Sequence, residues 1–181
     1  LKIVDLDKLP PAEEFLSPRE LKTYEGFKVE KRRREWLGGR YALKKLASGF
    51  FIFDIRQIEV RNRTSGQPAL GVPCGCNLPV SITHSGDFAA AAIATTGMGI
   101  GVDMEVIEPR SHAWMNQSFC PEEISSSAPV FLTEHWDKKE AVLKFMGVGL
   151  SLYTKDIRFI NGHLQFYGRA LDLWGKLGSP N

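Results

Sequence analysis

Gly101-Val102-Asp103-Met104-Glu105-Val106 reads as a β-strand that carries two acids. Alternate strand residues share a face, so Asp103 and Glu105 point one way and Val102, Met104 and Val106 the other. Two carboxylates on one face repel unless a cation or solvent separates them. A hard divalent cation resolves that conflict, and Mg2+ commonly takes one or two carboxylates together with substrate phosphates. The plainer alternative is an exposed sheet face with two solvated acids, and spacing alone favours it.

A helix expected from a Thr133 cap to Met146, ended by Gly147, adds to the pattern. Trp136, Glu140 and Lys144 follow one another at i, i+4 and i+8 and share a face. Glu140 could complete a metal site with the strand acids, and Lys144 could meet an anionic ligand. The alternative is a Glu–Lys helix pair worth about 0.3–0.5 kcal/mol. His84 ends the strand Val80-Ser81-Ile82-Thr83-His84, where it is either a phosphate contact or acid/base group, or a hydrogen-bonded turn histidine. Lys31-Arg32-Arg33-Arg34 cannot all face one side of a helix, so at best two of them converge on one phosphate. Gly97-Met98-Gly99-Ile100-Gly101 leads into a strand rather than a helix, which removes the phosphate-cradle reading.

The remaining pattern is mixed. Ile3–Leu6 is a short strand. Ser17-Pro18-Arg19-Glu20 is a helix start with a capping box, and a helix is expected from Phe27 to about Ala47. Gly38-Gly39 inside it suits close packing by a neighbouring element. Ile58–Arg61 alternates as a strand, Ser65–Pro68 turns, and residues 71–79 form an irregular loop. Val80–His84 and Phe88–Ala94 form a hairpin, and Ile100–Val106 is a third strand. Residues 107–132 are loop-rich, with a short helix around Pro121–Ile124. Asn161-Gly162 joins Ile157–Ile160 to Leu164–Tyr167 in a type I′ hairpin. No internal repeat stands out, yet an α+β fold with two halves meeting near residues 95–100 fits this order.

The chain has 181 residues, 23 Lys and Arg, and 21 Asp and Glu, a length that supports one domain or two small ones without disulfides. Its net charge of +2 excludes non-specific nucleic-acid binding as a main role. The charge is uneven: residues 17–47 hold 10 basic and 4 acidic residues, a net of +6, and the rest carry a net of −4. Cys74, Cys76 and Cys120 fit neither a disulfide framework nor a zinc site, and read as inert thiols in a reducing compartment. No apolar run is long enough to span a membrane, and the N-terminus lacks a signal-peptide pattern. A cytoplasmic protein without nucleic-acid or membrane partners is expected.

Gly99-Ile100-Gly101-Val102-Asp103-Met104-Glu105 resembles the G-(I/V)-D-(I/L)-E motif of the 4′-phosphopantetheinyl transferases. Trp136-Asp137-Lys138-Lys139-Glu140-Ala141-Val142-Leu143-Lys144 resembles their second motif, W-x-x-K-E-(A/S)-x-x-K. Val80-Ser81-Ile82-Thr83-His84-Ser85-Gly86 is similar to the S-(S/T)-H-S strand-turn of the surfactin-synthetase-activating (Sfp) type. Leu16–Glu20 and Arg33–Ala42 resemble the N-terminal half of that subfamily. Gly66-Gln67-Pro68 matches its G-K-P turn, with Gln in place of Lys. The likeness covers about residues 15–160, in the same order.

The resemblance implies two similar α+β halves, residues 1–97 and 98–181, packed as a monomeric pseudo-dimer with coenzyme A in the cleft. It separates this chain from the short, trimeric holo-acyl-carrier-protein synthases, which match only the later motifs. It implies Mg2+-dependent transfer of 4′-phosphopantetheine from coenzyme A to a serine of an apo acyl or peptidyl carrier protein, releasing adenosine 3′,5′-bisphosphate. Asp103, Glu105 and Glu140 would hold Mg2+, with Glu140 also the general base. Lys144 would contact the pyrophosphate, and Thr83 and His84 the nucleotide phosphates. Arg34 and Arg40 would bind the 3′-phosphate, and Gln67 would lie near the adenine. Two departures stand out: Gln67 removes a cation, and the chain ends soon after Trp174, where the subfamily continues into a strand. A catalytically weak or inactive relative that binds coenzyme A or a carrier is the alternative reading. A metal-dependent phosphodiesterase is a more distant one.

Overall fold

The computed structural model describes residues 1–95 and 99–177. Gly97 and Met98, which carry the expected boundary between halves and part of the glycine run, lie outside the described residues. In chain order the elements are β1 (Lys2–Asp5), α1 (Pro18–Glu25), α2 (Glu30–Ala47), β2 (Glu59–Asn62), β3 (Pro68–Gly71), β4 (Val80–Ser85) and β5 (Phe88–Ile93). There follow α3 (His112–Ser118), α4 (Pro129–Met146), β6 (Ile157–Ile160), β7 (His163–Phe166) and α5 (Gly168–Leu177). The fold is α+β, and among the described residues every strand pair is antiparallel.

The first half is a three-stranded sheet, β1-β5-β4, crossed by α2. The Ala89–Ala92 run of β5 is almost fully buried, and small side chains there let the helix come close. Gly38 and Gly39 complete the approach. A Cβ at Gly38 would run into the Leu6 side chain, and one at Gly39 would press on Ile82. The glycine pair thus supports helix-on-sheet packing, as its composition suggested. Leu43 and Ala47 extend the same contact to Ile58, Val60, Leu70 and Val72 around the β2–β3 hairpin.

Several boundaries differ from expectation. The α2 helix begins at Glu30 rather than Phe27, because Phe27 folds back to place its ring 5.5 Å from that of Trp36. The α4 helix begins four residues before Thr133, at Pro129, where a proline is tolerated because the first-turn N–H has no intrahelical partner. Thr133 is buried within the helix instead of capping it. Pro68–Gly71 continues the turn into β3, and α3 and α5 occupy regions not expected to be helical. Residues 100–106 form no strand ladder. Asn161 and Gly162, both with positive φ, make the expected hairpin turn.

The structure reveals a repeat hidden in the sequence. Leu16-Ser17-Pro18-Arg19-Glu20 and Phe119-Cys120-Pro121-Glu122-Glu123 make the same network. Glu20 Oε2 accepts from Ser17 N–H at 2.9 Å and from the buried Lys44 ammonium of α2 at 2.6 Å. Its Oε1 accepts from Val60 N–H of β2 at 2.9 Å. In the second half, Glu123 Oε2 accepts from Cys120 N–H at 2.8 Å and from the buried Lys139 ammonium of α4 at 2.9 Å. Its Oε1 accepts from Phe159 N–H of β6 at 3.1 Å. Each half therefore ties a helical turn, a long helix and a strand to one buried glutamate. Burial pushes both lysine ammoniums below the usual range, while their glutamates pull the other way.

Removing one partner of such a pair leaves an uncompensated buried charge. Glu20→Ala and Glu123→Ala are each expected to cost about 3–5 kcal/mol in urea unfolding, because two backbone N–H groups also lose their acceptor. A cost below about 1 kcal/mol for either would remove that network from the frame.

Candidate functional site

Strand β4 presents Ser81, Thr83 and Ser85 at alternate positions, so three hydroxyls line one face. Residues 101–106 run alongside that face. Val102 N–H donates to Ser81 Oγ at 3.1 Å, and Val106 N–H to Ser85 Oγ at 3.1 Å. Thr83 Oγ1 donates to Asp103 Oδ1 at 2.7 Å, and Ser85 Oγ to Glu105 Oε2 at 2.7 Å. Side-chain hydroxyls thus supply bonds that a strand ladder would have drawn from carbonyls, which is why the expected third strand does not form. Asp103 and Glu105 nevertheless share a face, as their spacing predicted.

Helix α4 closes the other side. Gly101 lies against its backbone, and a Cβ there would collide with the Ala141 carbonyl and the Phe145 nitrogen. Lys144 Nζ donates to Asp103 Oδ1 at 2.6 Å. Asp103 is buried, its side chain only 5% exposed, and its Oδ2 has no hydrogen-bond partner. Glu140 is pushed above the usual carboxylate range by burial and then by Asp103, with Glu105 adding to the shift and Lys144 opposing it.

Asp137, one turn before Glu140, was not singled out from the sequence. Its Oδ1 is buried without a partner. Burial, then Asp103 and Glu105, push its carboxyl up to about 6. The i, i+3 spacing to Glu140 was the available signal, but an acid at an unmarked motif position does not distinguish itself from a solvated one. Four carboxylates therefore influence one another around the junction of residues 101–106 and α4.

Among the described residues, no three His, Cys, Asp or Glu side chains are gathered tightly enough to hold a metal ion. The chemistry of the donor set still suits a hard cation: all are carboxylates, Asp103 and Glu105 raise the proton affinity of Asp137 and Glu140, and one buried oxygen of Asp103 lacks a donor.

The other expected residues are placed as follows. Thr83 is buried with its hydroxyl on Asp103, so it orients a carboxylate where a phosphate contact was expected. His84 is on the opposite face of β4, which packs against α2, and at the end of that face it is itself exposed, its Nδ1 3.8 Å from Glu35 Oε1. Arg34 is engaged by Asp7 at 2.6 Å and Asp87 at 3.4 Å. Arg40 stacks 4.0 Å over Trp36, and burial lowers its guanidinium to about 10. Arg40 lines a cavity of about 370 Å³ with Arg19, Trp36 and Arg61. Gln67 donates from Nε2 to the Lys144 carbonyl at 3.3 Å, which seats it at the end of α4. It lines a cavity of about 270 Å³ with Arg63, Asn77, Gly99 and Phe145.

Comparison with known proteins adds independent findings. Residues 27–94 match the 4′-phosphopantetheinyl transferase N-terminal domain family, and residues 99–173 match the 4′-phosphopantetheinyl transferase superfamily. The chain is 29% identical over 147 residues to the 4′-phosphopantetheinyl transferase HetI of Nostoc sp., covering 75% of this chain and 61% of that protein. It is 32% identical over 103 residues to the holo-[acyl-carrier-protein] synthase of Petrotoga mobilis, covering 49% of this chain and 87% of that protein. The Staphylococcus carnosus synthase of the same name is 36% identical over 93 residues, covering 48% of this chain and 76% of that protein. The solved Helicobacter pylori holo-[acyl-carrier-protein] synthase in complex with coenzyme A aligns with a TM-score of 0.42 and 18% identity, covering 51% of this chain and 96% of that one.

The carboxylate cluster carries a stability signature. The Asp137 carboxyl rests at about 6, above its ordinary 3.8, so the folded state binds the proton more tightly than the unfolded chain does. Stability is therefore lost as the pH rises from about 4 to 6 and Asp137 ionises. With solvent screening at a half-buried site, the loss is about 1–2 kcal/mol. Asp137→Asn, followed by urea unfolding in EDTA, should be more stable by that amount at pH 7.5 and equal to the parent at pH 4. A pH-independent difference would remove the ionisation of Asp137 as its cause.

Proposed function

The chain belongs to the 4′-phosphopantetheinyl transferase superfamily, and on that premise we propose that it transfers 4′-phosphopantetheine from coenzyme A to a serine of an apo acyl or peptidyl carrier protein. The observation that carries this reading is Asp103: buried, with one oxygen on Lys144 and the other lacking a donor, among Glu105, Asp137 and Glu140. A cluster of that kind suits a cation and a polyphosphate better than it suits a static role in the fold. The finer reading is the Sfp type, with residues 1–97 and 98–181 as two halves of a monomer. A match to an N-terminal domain family ahead of the superfamily match, and the repeated glutamate network, support it.

In this reading Asp103, Glu105 and Glu140 would hold Mg2+, which would supply charge neutralisation for the pyrophosphate and for the departing adenosine 3′,5′-bisphosphate. Glu140 takes the proton of the carrier serine, directly or through a water. Its raised proton affinity brings it closer to the basicity a general base needs near neutral pH. Lys144 meets the pyrophosphate from α4, exchanging its bond to Asp103 for one to phosphate. Thr83 fixes the rotamer of Asp103, and His84 meets the nucleotide phosphates from the exposed end of β4. Arg34 and Arg40 of the basic helix serve the 3′-phosphate. Arg34 does so by exchanging Asp7 and Asp87 for it. Gln67 lies near the adenine and brings no charge. No helix among the described residues is long and apolar enough to cross a membrane.

Mass spectrometry of apo acyl and apo peptidyl carrier proteins incubated with this chain, coenzyme A and Mg2+ tests the proposal. One phosphopantetheine should be added to a carrier, EDTA should abolish the gain, and Asp103→Ala or Glu140→Ala should slow it by about 100-fold or more. No gain across carriers, with coenzyme A still bound, would identify an inactive relative. Undiminished transfer by Asp103→Ala would overturn the residue assignment.

A further inference from the structure

The transfer reading leaves Cys74-Gly75-Cys76 without a role. These residues sit in the loop between β3 and β4, and both thiols are exposed. Their sulfurs are 2.7 Å apart. The contact follows from local geometry. Gly75 adopts φ +72, a conformation open to glycine, and its N–H donates to the Val72 carbonyl at 2.9 Å. That turn brings the two side chains to one side. Residues two apart are held within about 7 Å at Cα by chain length alone, and a bend shortens this into the range a disulfide needs. Cys120 stands apart, buried in the second half beside the Glu123 network.

Reactivity requires a thiolate that solvent can reach. Cys74 is open to solvent, and its neighbour favours the thiolate. The contact with the Cys76 thiol, then the Cys76 backbone N–H, hold the Cys74 thiol below its ordinary range. Cys76 is held above that range by the same contact, which suits a resolving thiol that stays protonated until Cys74 has reacted. The loop continues into Asn77, which accepts from Arg63 Nη2 at 3.2 Å and shares with Gln67 the lining of the cavity beside α4.

We propose that Cys74 and Cys76 form a thiol–disulfide exchange site whose reactant is a small-molecule disulfide of the glutathione class. The Cys74 thiolate attacks one sulfur of the small disulfide, breaking its S–S bond and releasing one thiolate. Cys76, losing its proton to that thiolate, attacks the Cys74 sulfur of the mixed disulfide and releases the second thiolate, which takes up from solvent the proton that Cys74 gave up. The protein pair gives up two electrons and two protons, and the small disulfide becomes two thiols. Intracellular disulfides of this kind are usually transient and redox-sensing rather than structural.

The test is peptide mass spectrometry of the full, reduced chain after incubation with oxidised glutathione and quenching by alkylation. A Cys74–Cys76 link two hydrogens lighter is expected, with Cys120 left as a thiol. Cys76→Ser should accumulate a stable glutathione adduct on Cys74, because nothing resolves it. Cys74→Ser should react about tenfold more slowly, having lost the activated thiolate. Two outcomes overturn the proposal. One is a parent chain that keeps both thiols alkylatable. The other is a parent chain that holds a glutathione adduct without closing the ring. The readout uses no coenzyme A or carrier, so it stands or falls separately from the transferase reading.

Discussion

The candidate site depends on three hydroxyls. Ser81, Thr83 and Ser85 recur every second residue along β4, and they bond both the backbone and the carboxylates of residues 102–106. A backbone ladder would fix the segment but leave its side chains to find their own rotamers. Here Thr83 and Ser85 each bond an acid directly, so position and orientation are set together. The opposite side is set by contact: Gly101 lies so close to α4 that no side chain fits. Asp103 and Glu105 are thereby caught between a strand of the first half and a helix of the second.

Precision of this kind needs stiff supports, and the repeated glutamate network provides them. A buried ion pair is weak evidence for net stability, because desolvation offsets much of its attraction. Its effect here is geometric. Glu20 ties α1, α2 and β2 to one carboxylate, and Glu123 ties the turn at Pro121, α4 and β6 to another. The halves share this frame but differ in what they display on it. In the first half Asp5 is paired with Lys8 and Asp7 with Arg34. The residue after the buried lysine is Lys45 in α2 and Glu140 in α4. One frame therefore carries a half whose acids are neutralised by cations and a half whose acids accumulate. A net charge of +4 over residues 1–97 against −2 over residues 98–181 reflects that division.

Much of this was legible residue by residue. The shared face of Asp103 and Glu105 follows from a period of two, the Ser17 capping box from local chemistry, and the β6–β7 turn from Asn-Gly. The glycine pair in α2 announced a close approach without naming Leu6 and Ile82 as what it approaches. Features that depend on tertiary partners were not legible. The repeat retains only Pro and Glu at matching places, and its lysines stand 24 and 16 residues beyond their glutamates, so no fixed period links them. Residues 100–106 have a strand pattern but find hydroxyls where a strand needs carbonyls. The importance of Asp137 comes from what residues 103–105 bring next to α4, and no window along the chain contains both.

The cluster also explains why the frame must resist deformation. Asp137 and Glu140 stand on α4, whereas Asp103 and Glu105 stand on a segment held mainly by side-chain hydroxyls. Burial, and then repulsion from Asp103 and Glu105, raises the proton affinity of the two helix acids, and the repulsion pushes the two elements apart. A loose scaffold would relax by letting the segment swing into solvent, and the repulsion would vanish together with the site. The three hydroxyls, the Lys144–Asp103 bond and the Gly101 contact oppose that escape. The repulsion is then relieved by protonation or by a cation. A cation that binds the folded cluster and has no comparable site on the unfolded chain stabilises the fold in proportion to its occupancy. The arrangement whose repulsion costs stability is thus the one in which the proposed cation would gain most, and hydroxyls rather than a strand ladder are what hold the acids in place.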